Sequence, residues 1–182
     1  MQTFTKYQNT TDPVPQKYFK AFVLLFKNNY ENKKYEDALK VMEIIPDSMK
    51  TAESNLMTAR SYFHSGKHDK AIESFEKISL ENDDKYLLSI SYAKTGLISK
   101  SRDILLYLAD KPGYLEKAKS ETAIKKIAQE IETEIKNKEK AAVEEKQKEE
   151  ININKPEGIQ KESPETDKES SNLSTEENTK LP

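Results

Sequence analysis

Apolar residues recur at intervals of three and four along most of the chain, the spacing that places side chains on one face of a helix. Phe19, Phe22, Val23, Phe26 and Tyr30 form one such run. Ala38, Leu39, Val41, Met42 and Ile45 form a second, which Pro46 ends. Leu56, Ala59, Tyr62 and Phe63 precede Ala71, Ile72, Phe75 and Ile78, and Leu87, Leu88, Ser91 and Tyr92 precede Ile98, Leu105 and Leu108. Strand-like alternation does not extend over any useful length, so the pattern predicts an all-α fold. Pro15 suits the first turn of the opening helix, because its missing N–H has no partner to lose there, and the helical pattern begins at Lys17. Gly66 and Gly96 each fall between two runs, where a left-handed residue closes one helix before the next begins.

Shifted by 30 residues, the chain matches itself. Ala59-x-x-Tyr62-x-x-x-Gly66-x-x-x-x-Ala71-x-x-x-Phe75-x-x-Ile78 returns as Ser89-x-x-Tyr92-x-x-x-Gly96-x-x-x-x-Ser101-x-x-x-Leu105-x-x-Leu108. An earlier copy runs through Phe26, Asn29, Ala38, Met42 and Ile45 at an offset of 33. Periods of this size belong to stacked helix hairpins, in which small residues let the two helix axes approach closely.

On these residues the segment Ala52 to Asp84 resembles a tetratricopeptide repeat (TPR), with Ala59, Tyr62, Gly66, Ala71 and Phe75 at the signature places; the likeness spans about residues 19 to 111. It departs from the family where Phe26 replaces a small residue, Lys33 a turn glycine and Ser101 an alanine. The middle unit lacks its final proline, and its link to the third is short. The resemblance implies an α-solenoid of three TPR-like hairpins plus a C-terminal capping helix. It also implies a concave groove lined by the first helix of each unit: Lys20, Val23, Lys27 and Tyr30, then Leu56, Arg60, Phe63 and His64, then Tyr86, Ile90 and Lys94. The family's clamp for chaperone carboxylates needs Lys and Asn where Val23, Leu24 and Lys27 stand, so a chaperone-tail receptor is disfavoured. The mixture of aromatic, apolar and basic residues suits an amphipathic or acidic-hydrophobic segment, with Arg60, Phe63 and Tyr86 as anchors. Phe63 and Tyr86 equally fit packing between repeats.

After Pro112-Gly113, Leu115, Ala118, Ile124, Ile127, Ile131 and Ile135 trace a helix that is apolar on one side, as a repeat array needs at its end. A coiled-coil seam fails, because the heptad puts Glu134 and Lys138 at apolar positions. The organisation expected is a polar segment at 1–16, the repeat domain with its capping helix at 17–137, a charged helical extension at 138–151 and a disordered acidic tail at 152–182. The tail follows from composition: beyond Asn152 too few apolar residues remain to offset the entropy of ordering.

Lys and Arg number 30 against 32 Asp and Glu, a net charge of −2, which argues against a general polyanion binder. The only arginines are Arg60 and Arg102, and lysine alternates with glutamate, so no nucleic-acid partner is expected. Zero cysteines exclude disulfides, thiolate metal sites and a thiol nucleophile. His64 and His68 have a metal-like spacing that Gly66 interrupts. Asp83 and Asp84 read as helix-start acids, and no serine lies in a nucleophile motif. No enzyme activity, cofactor or metal is expected. With neither a signal-like nor a membrane-spanning apolar run, direct membrane insertion is not expected and the location expected is cytoplasmic. The functional expectation is a non-catalytic adaptor for a peptide or protein segment. The alternative is a structural subunit that stacks its repeats in a larger assembly.

Overall fold

The computed structural model describes residues 15–153. The polar segment expected at 1–16 lies almost wholly outside the described residues, as does the disordered tail expected at 152–182. Within the described residues the chain is all-α, with eight α-helices and no strand. They are α1 (Phe19–Glu31), α2 (Tyr35–Met42), α3 (Ala52–His64), α4 (His68–Phe75), α5 (Asn82–Lys94), α6 (Ile98–Ala109), α7 (Tyr114–Ser120) and α8 (Lys125–Ile153). Short 3₁₀ turns, Gln16–Tyr18 and Asp47–Met49, precede α1 and α3. Pro15 therefore initiates the first 3₁₀ turn in an extended conformation rather than sitting inside α1.

Three connections share one geometry. Lys33, Gly66 and Gly96 have φ of 58°, 72° and 82°, and each is followed by a residue whose N–H reaches back five positions. Lys34 N–H donates to Asn29 O at 2.8 Å, Lys67 N–H to Tyr62 O at 2.9 Å, and Leu97 N–H to Tyr92 O at 2.8 Å. This is the Schellman closure, which satisfies carbonyls that the ended helix leaves free. Three-residue connections of this kind fold α1 onto α2, α3 onto α4 and α5 onto α6, and these pairs pack most closely. Further contacts join α1 to α3 and α3 to α5, so the first helices of the three pairs lie side by side.

Small residues sit where the pairs meet. Ala38, Ala59, Ala71, Ser89 and Ser101 are all fully buried, as is the larger Phe26. One core joins Phe22, Phe26, Val41, Met42 and Ile45, and a second joins Ile72, Phe75, Leu88 and Tyr92. A third joins Tyr86, Ile90, Leu105 and Leu108 with Ala118, Ile124, Ile127, Ala128 and Ile131 of the C-terminal segment. The terminal helix thus buries the apolar face that its sequence prescribes, and Arg102 holds it through Glu134 at 2.6 and 2.7 Å. The helix passes residues 137 and 138 without interruption. From Lys136 to Lys148 its side chains are exposed, so no stop signal separates the capping part from the charged extension. All three cores lie in one compact unit, which ends at Ala141.

Candidate functional site: the row of first helices

α1, α3 and α5 bear most of the polar and aromatic residues that link one pair to the next. α3 begins at a reciprocal cap: Thr51 Oγ1 accepts from Ser54 N–H at 3.1 Å, and Ser54 Oγ accepts from Thr51 N–H at 2.9 Å. That fixed start places Glu53 against α1, where Lys27 Nζ donates to its carboxylate at 2.9 Å. One junction further, Arg60 Nε and Nη2 donate to the two carboxylate oxygens of Asp84 at 2.6 and 2.9 Å. The Asp84 side chain is only 1% exposed, so this fork is its main compensation for lost water. The hydrogen bond to Asp84 raises the Arg60 pKa above its ordinary value, with burial opposing and the Tyr30 hydroxyl assisting.

Rings run across the same junctions. Tyr30 meets Tyr35 edge-on at 5.9 Å, Tyr35 stacks on His64 at 4.6 Å, and Phe63 lies edge-on to both His64 and His68, at 5.2 and 5.6 Å. His68 Nδ1 lies 3.4 Å from Ser91 Oγ on α5. Burial lowers the pKa of both histidines. Arg60 and Lys33 add to this at His64, and Lys94 adds to it at His68, where Asp69 opposes.

The sequence-predicted residues divide into two groups. Lys20, His64 and Lys94 are exposed, and Val23, Lys27, Tyr30, Leu56, Arg60 and Phe63 are half-buried, so this set keeps surface available around α1 and α3. Tyr86 and Ile90 do not line an open groove: each is 4% exposed and belongs to the core shared with Ile124, Ile127 and Ile131. Tyr86 also donates its hydroxyl proton to Lys117 O at 3.2 Å and lies under Lys117 Nζ at 4.4 Å. The reason is visible in α5, where Tyr86, Leu88, Ser89, Ile90, Ser91 and Tyr92 are all buried. Six of the seven residues from Tyr86 to Tyr92, a stretch without a charge, are buried, so this part of the helix has no open groove face to offer.

Tyr35 and His68 complete the ring series and were not among the predicted residues. Each opens a second helix two positions after the left-handed residue, 33 residues apart, so the repeat offset itself carries the signal. Asp84 was read as a helix-start acid and does lie in the first turn of α5, but its carboxylate goes to Arg60. His64 ends α3 and His68 starts α4, on either side of Gly66. Among the described residues no cluster of three His, Asp or Glu could hold a metal ion, and no helix is long and apolar enough to cross a membrane.

Compared with known proteins, the chain matches no family model, no curated protein and no solved structure.

Proposed function

We propose that the chain is a non-catalytic binding module of TPR-like hairpins, and that its inner face over α1 and α3 takes an extended or helical segment of a partner protein. The observation that carries this reading is the threefold recurrence of one hairpin: left-handed closure at Lys33, Gly66 and Gly96, followed five residues later by the fully buried Ala38, Ala71 and Ser101. Hairpins with one closure and one small-residue contact stack in register, and stacking in register generates a curved face from the first helices.

The open part of that face spans the first two pairs. Its free charge is basic, at Lys20 with Lys94 beyond, and His64 adds a ring that its lowered pKa keeps neutral. Glu53 and Asp84, the acids nearest the row's centre, are already paired. Its apolar surface comes from Val23, Leu56 and Phe63. A partner segment with an acidic residue beside a bulky apolar one meets both needs.

The test is a randomised peptide array probed with the protein and with a Lys20→Glu, Lys94→Glu variant. Both substitutions are at exposed side chains, so thermal melts of the two proteins should agree. The parent should enrich peptides that combine acids with Leu or Phe, and the variant should lose them. Enrichment without acidic preference, or retained by the variant, overturns the assignment.

A further inference from the structure

The second and third pairs are joined by six residues, Glu76–Glu81, whereas the first and second are joined by nine, Glu43–Thr51. In the longer link the turn Asp47–Met49 folds back, and Met49 packs against the first core. The shorter link has no such turn. Beside the shorter link a cleft of about 440 Å³ opens over Phe75, Ile78, Leu80, Leu88, Ile104 and Tyr107. That volume is within the roughly 300–1,000 Å³ typical of ligand pockets. The cleft shares no residue with the inner face described above.

Its rim carries three charges, and two are engaged. Glu76 accepts from Tyr92 and from Lys100. Lys85 Nζ sits 4.4 Å from the centre of the Tyr107 ring, which Lys111 also approaches at 5.4 Å. Asp103, one helical turn before Tyr107 on α6, makes no ion pair or side-chain hydrogen bond among the described residues, and it is exposed at the mouth of the cleft. Tyr107 itself is 49% exposed. An apolar floor beside an unpaired carboxylate calls for an apolar anchor beside a cation.

We infer that this cleft docks a basic amphipathic segment of another protein, with a Phe or Leu in the cleft and a Lys or Arg one helical turn away on Asp103. The anchor gains burial against six apolar side chains, and the base gains the one rim carboxylate that the protein leaves unpaired. The segment is proposed as a helix, in which residues four apart share one face and reach the apolar floor and Asp103 together.

The probe is an alanine–glutamine host peptide with one phenylalanine and, four positions later, one lysine, titrated into methyl-labelled full-length protein and followed by NMR. The methyl signals of Ile78, Leu80, Leu88 and Ile104 should shift in a saturable way. A version with glutamate for lysine should bind about fivefold more weakly, and one with alanine for phenylalanine should leave the signals unmoved. The Asp103→Asn protein, altered only at an exposed side chain, should bind the lysine and glutamate versions equally. Absent shifts, shifts confined to Val23 and Leu56 of the inner face, or equal binding of both versions by the parent would each overturn the inference.

Discussion

Lys33 and Gly66 hold the same backbone position in successive hairpins, both left-handed, with φ of 58° and 72°. In each, the N–H of that residue donates to the carbonyl three positions back, Tyr30 O at 2.9 Å and Phe63 O at 3.0 Å, and the next N–H completes the Schellman pair. A lysine Cβ in this conformation crowds the following carbonyl, a cost of roughly 1–2 kcal/mol that glycine avoids. Glycine returns part of that gain through its greater freedom when unfolded. Lys33→Gly should therefore stabilise the protein by about 0.5–1 kcal/mol, read as a higher urea midpoint. Gly66→Ala should lose about 1 kcal/mol through strain alone, because a Cβ built there meets nothing within 4 Å. A destabilised Lys33→Gly protein would mean that the lysine side chain contributes something its exposed position does not reveal.

The fully buried positions Ala71 and Ser101 are equivalents in the second and third hairpins, and one of them is mismatched to its surroundings. Ser101 Oγ has no hydrogen-bond partner, whereas Ser61, Ser89 and Ser91 each donate to a backbone carbonyl. Ser101→Ala should raise stability by about 1 kcal/mol, since it removes an unsatisfied hydroxyl and substitutes a better helix former. Ala71→Leu should lower it by roughly 1–3 kcal/mol, because no space exists for the larger side chain where the two helices meet. Thermal melts of both variants provide the check. A Ser101→Ala protein less stable than the parent would place a water or other partner on that hydroxyl.

How much could be read in advance follows from what each feature depends on. The helices, their order and the hairpin closures rest on local spacing, so Gly66, Gly96 and the small residues at 59, 71, 89 and 101 were legible. The candidate face was legible in part. Lys20, Lys27, Arg60 and His64 were placed by the family resemblance, and they remain on accessible surface. Tyr86 and Ile90 were misplaced because helical spacing reports that a face is apolar without reporting what covers it, and α8 covers these two. The Arg60–Asp84 fork was not legible. Asp83 and Asp84 are equivalent in sequence, and only packing of α5 against α3 decides which carboxylate turns inward. The short link between the second and third pairs was legible by counting, but the cleft beside it required the fold.

Removing Arg60 should expose the dependence of Asp84 on its partner. The aspartate side chain is almost wholly buried, and Arg60 alone supplies hydrogen bonds to both of its oxygens, so Arg60→Ala leaves a charge with neither water nor counterion. Arg60 is one-third exposed, and solvent moderates the loss to about 2–3 kcal/mol. Asp84→Ala in the same background should recover part of it, since the stranded charge is then gone. Denaturant midpoints for the two single variants and the double give the coupling directly. A single-variant loss below about 0.5 kcal/mol, the worth of an exposed pair, would show that Asp84 finds water in solution. The same logic makes Arg60→Ala a poor probe of partner binding, because it perturbs the junction as well as the surface.

The last expectation concerns acid. His64 and His68 sit on either side of the turn at Gly66, and burial holds both pKa values below the usual histidine value; Arg60 and Lys33 assist at His64, and Lys94 assists at His68 against the opposing Asp69. A histidine with a depressed folded pKa binds fewer protons when folded than when unfolded. Stability therefore increases with pH through this range. The protein should be most stable above about pH 6.5, the unfolded histidine value, and should lose stability as pH falls below it, until the folded histidines are themselves protonated. Protonation would put a cation beside Arg60 and Lys33 in the stack on Tyr35, and another beside Lys94 in the contact to Ser91. A His64→Gln, His68→Gln protein should show a flatter dependence of melting temperature on pH between 7.5 and 5.5, with the parent and the variant diverging most at the acid end. Carboxylates such as Glu76, whose pKa is held low by the hydrogen bond from Tyr92 and then by Lys100, titrate below this window and leave the comparison intact. Parallel profiles for the two proteins would mean that the histidines are as well solvated in the folded chain as in the unfolded one.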